Sequence, residues 1–152
     1  MSTDRPNLSA ITVLLVEDDA VDVAAVRRAL KGLGFSGNLQ VARSVDEATR
    51  TLRAPDQPVD LVLLDLNMPV RSGHELLEDV HAMEDDSLPP IVVLSSSSDE
   101  RDLQRCFAAC AAGYFVKSLE QSRLEGTLRT ILGYWHSSMR PPHRSAPPRG
   151  GA

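Results

Sequence analysis

The chain has 152 residues, enough for one domain and too few for two ordinary ones. Its composition, 42% hydrophobic and 24% charged, excludes the disordered and fibrous classes, and with aromatics at 4% the core has to be built from Val, Leu, Ile and Ala. A formal charge of −5 argues against a nucleic-acid binder, because phosphate contacts need clustered Lys and Arg.

Residues 1–9 are polar, include Pro6 and read as a flexible arm. The Met-Ser-Thr-Asp start lacks a basic stretch followed by an apolar run, and no segment is apolar for long enough to span a bilayer. A cytoplasmic protein without membrane contact is expected. Residues 11–16 are apolar in the manner of a buried strand, and Asp19 is expected to cap a helix. In that helix Val23, Val26, Leu30 and Leu33 recur at turn spacing until Gly34 ends it. Residues 39–42 form a short second strand; Ser44 with Glu47 reads as a capping box opening a helix that Pro55 stops. Residues 59–64 are the third strand, and Ser72 with Glu75 opens the third helix. His74 and His81, seven apart on it, are expected to face solvent. The fourth strand, 91–94, follows Pro89 and Pro90, and Ser97 with Glu100 opens the fourth helix.

On that helix Cys106 and Cys110 stand i,i+4; they match no zinc pattern and are expected to be reduced thiols packed as small hydrophobes. Residues 114–116 are the fifth strand, and Ser118 with Gln121 opens a last helix with Leu124, Leu128, Ile131 and Trp135 on one face. Tyr134 and Trp135 read either as core-edge residues or as anchors of a dimer. Residues 137–152 read as a disordered tail made basic by Arg140, Arg144 and Arg149, which serves solubility or meets an anionic partner. Strict alternation of five strands and five helices predicts an α/β, doubly wound parallel sheet, with ligands at the carboxyl ends of the strands.

That rule directs attention to the residues just after each strand. Glu17, Asp18 and Asp19 follow the first, Asp65-Leu-Asn-Met-Pro69 the third, Ser95 to Ser98 the fourth and Lys117 the fifth. Carboxylates gathered on one edge repel one another and stay ionised only with a hard cation between them. Mg2+ takes oxygen ligands and keeps several waters, so two or three carboxylates and a backbone carbonyl suffice. A strand-end carboxylate is also a nucleophile able to form an aspartyl-phosphate. The phosphoryl oxygens then call for a metal, an ammonium and a hydroxyl donor, and Asp65, Lys117 and Ser95 are the available parts.

Four motifs in register, Leu14-Leu-Val-Glu-Asp-Asp19, Asp65-Leu-Asn-Met-Pro69, the hydroxyl of Ser95 and Gly113-Tyr-Phe-Val-Lys117, resemble the receiver domain of two-component response regulators over roughly residues 10–136. The resemblance implies a flavodoxin-like sheet of order 2-1-3-4-5. It implies that Asp65 takes a phosphoryl group from the phosphohistidine of a sensor histidine kinase. Asp18 would ligate Mg2+ directly, Glu17 largely through water, Asp65 itself, and Asn67 through its backbone carbonyl. Lys117 would pair with the phosphoryl oxygens, Ser95 would swing in to bond them, and Tyr114 would follow inward. The Asp-Leu-Asn-Met-Pro run, Leu94-Ser-Ser-Ser-Ser-Asp-Glu100, Arg105-Cys-Phe and Tyr134-Trp135 further resemble the single-domain regulators of phytochrome-type histidine kinases, including bacteriophytochromes. Those pair through helix four, strand five and helix five, and a histidine phosphotransfer protein is a further partner of this class.

Lys117 is followed by Ser118 where the family has proline. A non-proline residue prefers trans by roughly 3 kcal/mol, so the loop is expected either to tolerate an unusual cis bond or to run differently, which bears on the placement of Lys117. Two other classes compete with a phosphorylation switch. A haloacid-dehalogenase-type phosphatase wants a second acid where Asn67 stands, and a pseudo-receiver working without phosphorylation does not need Glu17, Asp18, Asp65 and Lys117 intact.

Overall fold

A computed structural model describes residues 11–54, 56, 58–118 and 120–137. The expected arm and tail fall outside these residues, except that Ser137 closes the last helix. Five strands and five helices alternate: β1 (Thr12–Val16), α1 (Ala20–Gly32), β2 (Asn38–Ala42), α2 (Val45–Arg53), β3 (Leu61–Leu64), α3 (Gly73–Ala82), β4 (Ile91–Ser95), α4 (Glu100–Ala108), β5 (Gly113–Val116) and α5 (Gln121–Ser137). The strands form one parallel sheet of order β2-β1-β3-β4-β5, the flavodoxin-like arrangement.

The continuous apolar runs exist because both faces of the sheet are covered. Side chains alternate along β1, so Val13 and Leu15 pack with Val26 and Leu30 of α1 and Leu124, Leu128 and Ile131 of α5. Leu14 and Val16 turn the other way, to Ala48 of α2, Leu76 and Leu77 of α3 and Cys106 of α4. β3 and β4 divide in the same manner. Each fully buried Leu of these layers is worth about 2 kcal/mol of removed apolar surface.

Helix ends follow local chemistry. Asp19 caps α1, its Oδ1 accepting from Val21 N (2.8 Å) and Asp22 N (3.3 Å). At the other end Gly34 takes φ +74°, while Gly34 N donates to Lys31 O and Phe35 N to Leu30 O, the paired bonds of a Schellman ending. Ser44 caps α2 by accepting from Glu47 N (3.1 Å), and Glu47 accepts from the N–H of Arg43 instead of that of the cap (3.0 Å).

The other three capping boxes do not form. Ser72 stands at the start of α3 without a side-chain bond, the Glu75 N–H donating to the Ser72 carbonyl (3.0 Å), and the Glu75 carboxylate pairs with Arg71, which also binds Asp46 and Asp79. Asp99, not Ser97, caps α4, with Oδ1 accepting from Arg101 N at 2.9 Å; the Ser97 hydroxyl is engaged by Asp102. Ser118 accepts from Glu120 N (3.2 Å), and the amide of Gln121 points down the helix to Glu125.

The cysteines also depart from expectation. Cys106 is buried, but Cys110 is exposed and lies beyond α4 with φ +62°. There it takes the position of Gly34 in a second Schellman ending, with Cys110 N donating to Phe107 O and Ala111 N to Cys106 O.

Candidate functional site

The last residue of β1 and of β3 is apolar and buried, and the chain turns acidic one step later. Two backbone bonds fix that step: Glu17 N donates to Ala42 O and Asp65 N to Val16 O, both at 3.0 Å. Glu17 (1% exposed), half-buried Asp18 and Asp65 (7%) offer carboxylate oxygens that all lie within 4.8 Å of one another. Lys117 reaches them from β5, placed by its own N–H on Ser95 O at 2.7 Å. Its Nζ donates to Glu17 Oε2 (2.6 Å) and Asp22 Oδ2 (2.8 Å) and stands 3.9 Å from Asp65 Oδ2. No described peptide bond is cis, so the Lys117–Ser118 bond is trans and the lysine still reaches the acids.

Gly73 is required by the packing of this corner. Its N–H donates to Leu66 O (3.0 Å), and a Cβ there would meet the Asp65 carbonyl and lie 2.8 Å from Leu66 Cα. The first turn of α3 thereby braces the loop that carries Asp65. Asn67 donates its backbone N–H to Asp65 Oδ1 at 3.2 Å.

Burial, reinforced by the charge of Asp65, pushes the Glu17 carboxyl up to about 7 against the opposing hydrogen bond from Lys117. Burial acts on Lys117 in the lowering sense. Hydrogen bonds to Asp22 and Glu17 and the charge of Asp65 outweigh it, so the ammonium is held above its ordinary value. Three carboxylates facing one lysine leave excess negative charge in a hard, all-oxygen donor set, which suits a small divalent cation.

Ser95 ends β4 fully buried, its Oγ accepting from Ser97 N at 3.2 Å. Tyr114 is half-buried and donates its hydroxyl to Ser97 O at 2.6 Å. Glu17, Asp18, Asp65 and Lys117 are therefore brought together, while the hydroxyls of Ser95 and Tyr114 are engaged with the β4–α4 loop.

Two participants escaped the sequence reading. Asp22, the second partner of Lys117, stands one turn into α1 from the cap at Asp19, and that spacing was its only signal. His74 is buried, not solvent-facing: it sits 2.9 Å from Asp102, an acid 28 residues further on that no local pattern connects to it. His81 is exposed as expected. Trp135 is half-buried at the margin of the α1–α5 core, and its ring meets that of exposed Tyr134 edge-on at 5.0 Å.

The family model for the response regulator receiver domain matches residues 13–129. The chain belongs to that family. The receiver is 33% identical over 127 residues to the probable methanogenesis regulatory protein FilR2 of Methanothrix harundinacea, covering 81% of this chain and 82% of the relative. It spans about half the length of several other curated relatives, 52% of a two-component response regulator of Oryza sativa among them. Among solved structures, the phosphorylated cyanobacterial phytochrome response regulator RcpA superposes with TM-score 0.77 at 31% identity, over 88% of this receiver and 99% of RcpA. The Mn2+-bound form of response regulator Rcp1 superposes with TM-score 0.74 at 28% identity, over 87% and 99%. Receivers are modules of phosphorylation-based signalling and not enzymes of the ordinary kind. Among the described residues no helix is long and apolar enough to cross a membrane.

Proposed function

We propose that this receiver takes a phosphoryl group onto Asp65 from the phosphohistidine of a sensor histidine kinase, in a Mg2+-dependent reaction in the cytoplasm. The observation that carries the reading is the meeting of three carboxylates and Lys117 at the carboxyl edge of the sheet. An Asp65 oxygen forms the new O–P bond as the P–N bond of the donor breaks, the electron pair leaving with the imidazole nitrogen. Asp18 and Asp65 would hold Mg2+ directly, Glu17 through water and Asn67 through its carbonyl; when bound, the ion neutralises charge on the phosphoryl oxygens. Lys117 exchanges part of its bonding to Glu17 and Asp22 for the phosphoryl oxygens, Ser95 turns its hydroxyl toward them, and Tyr114 follows.

The signal leaves by protein contact, either to a histidine phosphotransfer protein or by pairing of two copies through α4, β5 and α5. Each of those elements carries an exposed large apolar side chain, Phe107, Val116 and Tyr134, which favours pairing. The likeness to RcpA makes a phytochrome-type kinase the donor to try first.

Incubation with Mg2+ and acetyl phosphate, followed by intact mass and size-exclusion chromatography, tests the reading. A phosphoryl adduct is expected that needs Mg2+ and is absent from Asp65→Asn. An adduct that persists in Asp65→Asn places the acceptor elsewhere, and an unchanged elution volume on phosphorylation removes pairing as the output.

A further inference from the structure

The Lys117 ammonium does not share itself evenly among the acids around it. Its Nζ donates to Glu17 Oε2 at 2.6 Å and to Asp22 Oδ2 at 2.8 Å. Asp65 Oδ2 lies 3.9 Å away, close enough for an ion pair and beyond hydrogen-bond reach. Glu17 and Asp65 belong, with Asp18, to the cluster whose oxygens lie within 4.8 Å of one another. Asp22 does not. Among the described residues it is the one carboxylate bonded to the ammonium that stands outside the cation set.

Asp22 is held in place by its helix. It stands in the first turn of α1, with its own N–H on the capping Asp19 Oδ1 (3.3 Å), and Val23, Ala25 and Val26 bury that helix in the core. From there its half-buried carboxylate meets a lysine that arrives 95 residues later on β5. Glu17 is fixed as well, because its second oxygen, Oε1, accepts from Asp19 N at 3.2 Å. Two anchors at the β1–α1 corner therefore take two of the three N–H bonds of the ammonium.

A lysine and a divalent cation compete for the same carboxylates. An ammonium that closes on Asp65 occupies an oxygen that the ion needs. We infer that Asp22 is a positioning residue that holds the Lys117 ammonium off Asp65, and so keeps the Asp65 oxygens open to Mg2+. The inference rests on the receiver reading above, in which Glu17, Asp18 and Asp65 serve the ion. Without Asp22 the ammonium keeps its bond to Glu17, and a shift of about 1 Å turns the Asp65 ion pair into a direct, charge-assisted bond. Mg2+ then has to displace the lysine before it binds. With Asp22 in place the lysine has a partner that the ion does not use, and both cations fit in one site.

The test uses the whole chain without a phosphoryl donor, so it reads the site and not the transfer. Mg2+ binding is measured by calorimetry for wild type, Asp22→Ala, Lys117→Met and the double variant. Asp22→Ala should weaken Mg2+ binding about 5- to 10-fold, the scale of one charge-assisted hydrogen bond that the ion must now break. Lys117→Met removes the competitor and should tighten it. In that background Asp22→Ala should change the affinity by about 2-fold at most, because Asp22 acts through the lysine. A crystal structure of metal-free Asp22→Ala should place Nζ within about 3 Å of an Asp65 oxygen. An unchanged Mg2+ affinity in Asp22→Ala, or an equal weakening with and without Lys117, overturns the inference and leaves the receiver reading standing. A wild type that binds no Mg2+ overturns both.

Discussion

Glu17 couples the stability of the metal-free protein to pH in an unusual direction. Most native carboxylates are held ionised, so folds gain stability as pH rises; here burial holds the carboxyl near 7, against 4.5 for the free group. The folded state therefore binds the proton more tightly than the unfolded chain across that window. Below pH 4.5 the carboxyl is neutral in both states and carries no penalty. As pH rises toward 7 the unfolded chain ionises freely, the folded one resists, and stability falls by on the order of 3 kcal/mol before levelling off. Lys117 lies outside the window, because a raised ammonium loses its contribution only at high pH. Urea unfolding at pH 5, 6, 7 and 8 in EDTA, for wild type and Glu17→Gln, isolates the effect, since the amide does not titrate. Wild-type stability should drop relative to the variant between pH 5 and 7, and saturating Mg2+ should reduce that drop. A wild type that holds steady or gains on Glu17→Gln over the same range would mean that the carboxyl ionises freely in the fold, and the reasoning would be refuted.

Other expectations follow from single contacts. Asp65→Asn removes one of three crowded carboxylates and should stabilise the metal-free protein by about 1 kcal/mol while abolishing the Mg2+ gain, as read by thermal melts with and without the ion. Gly73→Ala should cost about 2–3 kcal/mol in urea and slow acetyl phosphate uptake, because the new Cβ presses on the backbone of Asp65 and Leu66. Cys110→Gly should raise the melting temperature by about 2–4 °C, since a left-handed Cys pays a steric cost that glycine does not. Leu128→Ala, at a fully enclosed position of α5, should cost about 2–5 kcal/mol in the same denaturation assay without changing which residue is phosphorylated.

The sheet was legible because both of its faces are covered. Residues 13–16, 61–64 and 91–94 are apolar at successive positions, a pattern that half-exposed strands do not show, and the acids follow where topology gathers strand ends. The caps were less legible. Ser72, Ser97 and Ser118 each satisfy the one-dimensional pattern, yet Arg71, Asp102 and Glu120 decide what their surroundings bond. Two of those competitors are fixed by tertiary or helix-start geometry beyond the three-residue window. His74 was misplaced for a similar reason: its partner comes from α4, and an imidazole on a helix gives no sign of which neighbouring helix will cover it. The end of α4 was unsignalled because Cys110 occupies a place that glycine usually marks.

The strand order scatters the site along the gene while uniting it in space. All three carboxylates lie within the first 65 positions, whereas the lysine that faces them arrives 100 residues after Glu17, with the fifth strand. A copy cut short before that strand, whether by stalled translation or by proteolysis, keeps Asp65 and its acidic neighbours without the counter-charge that holds them together. Damaged or half-made molecules are thus poor counterfeits of the working one.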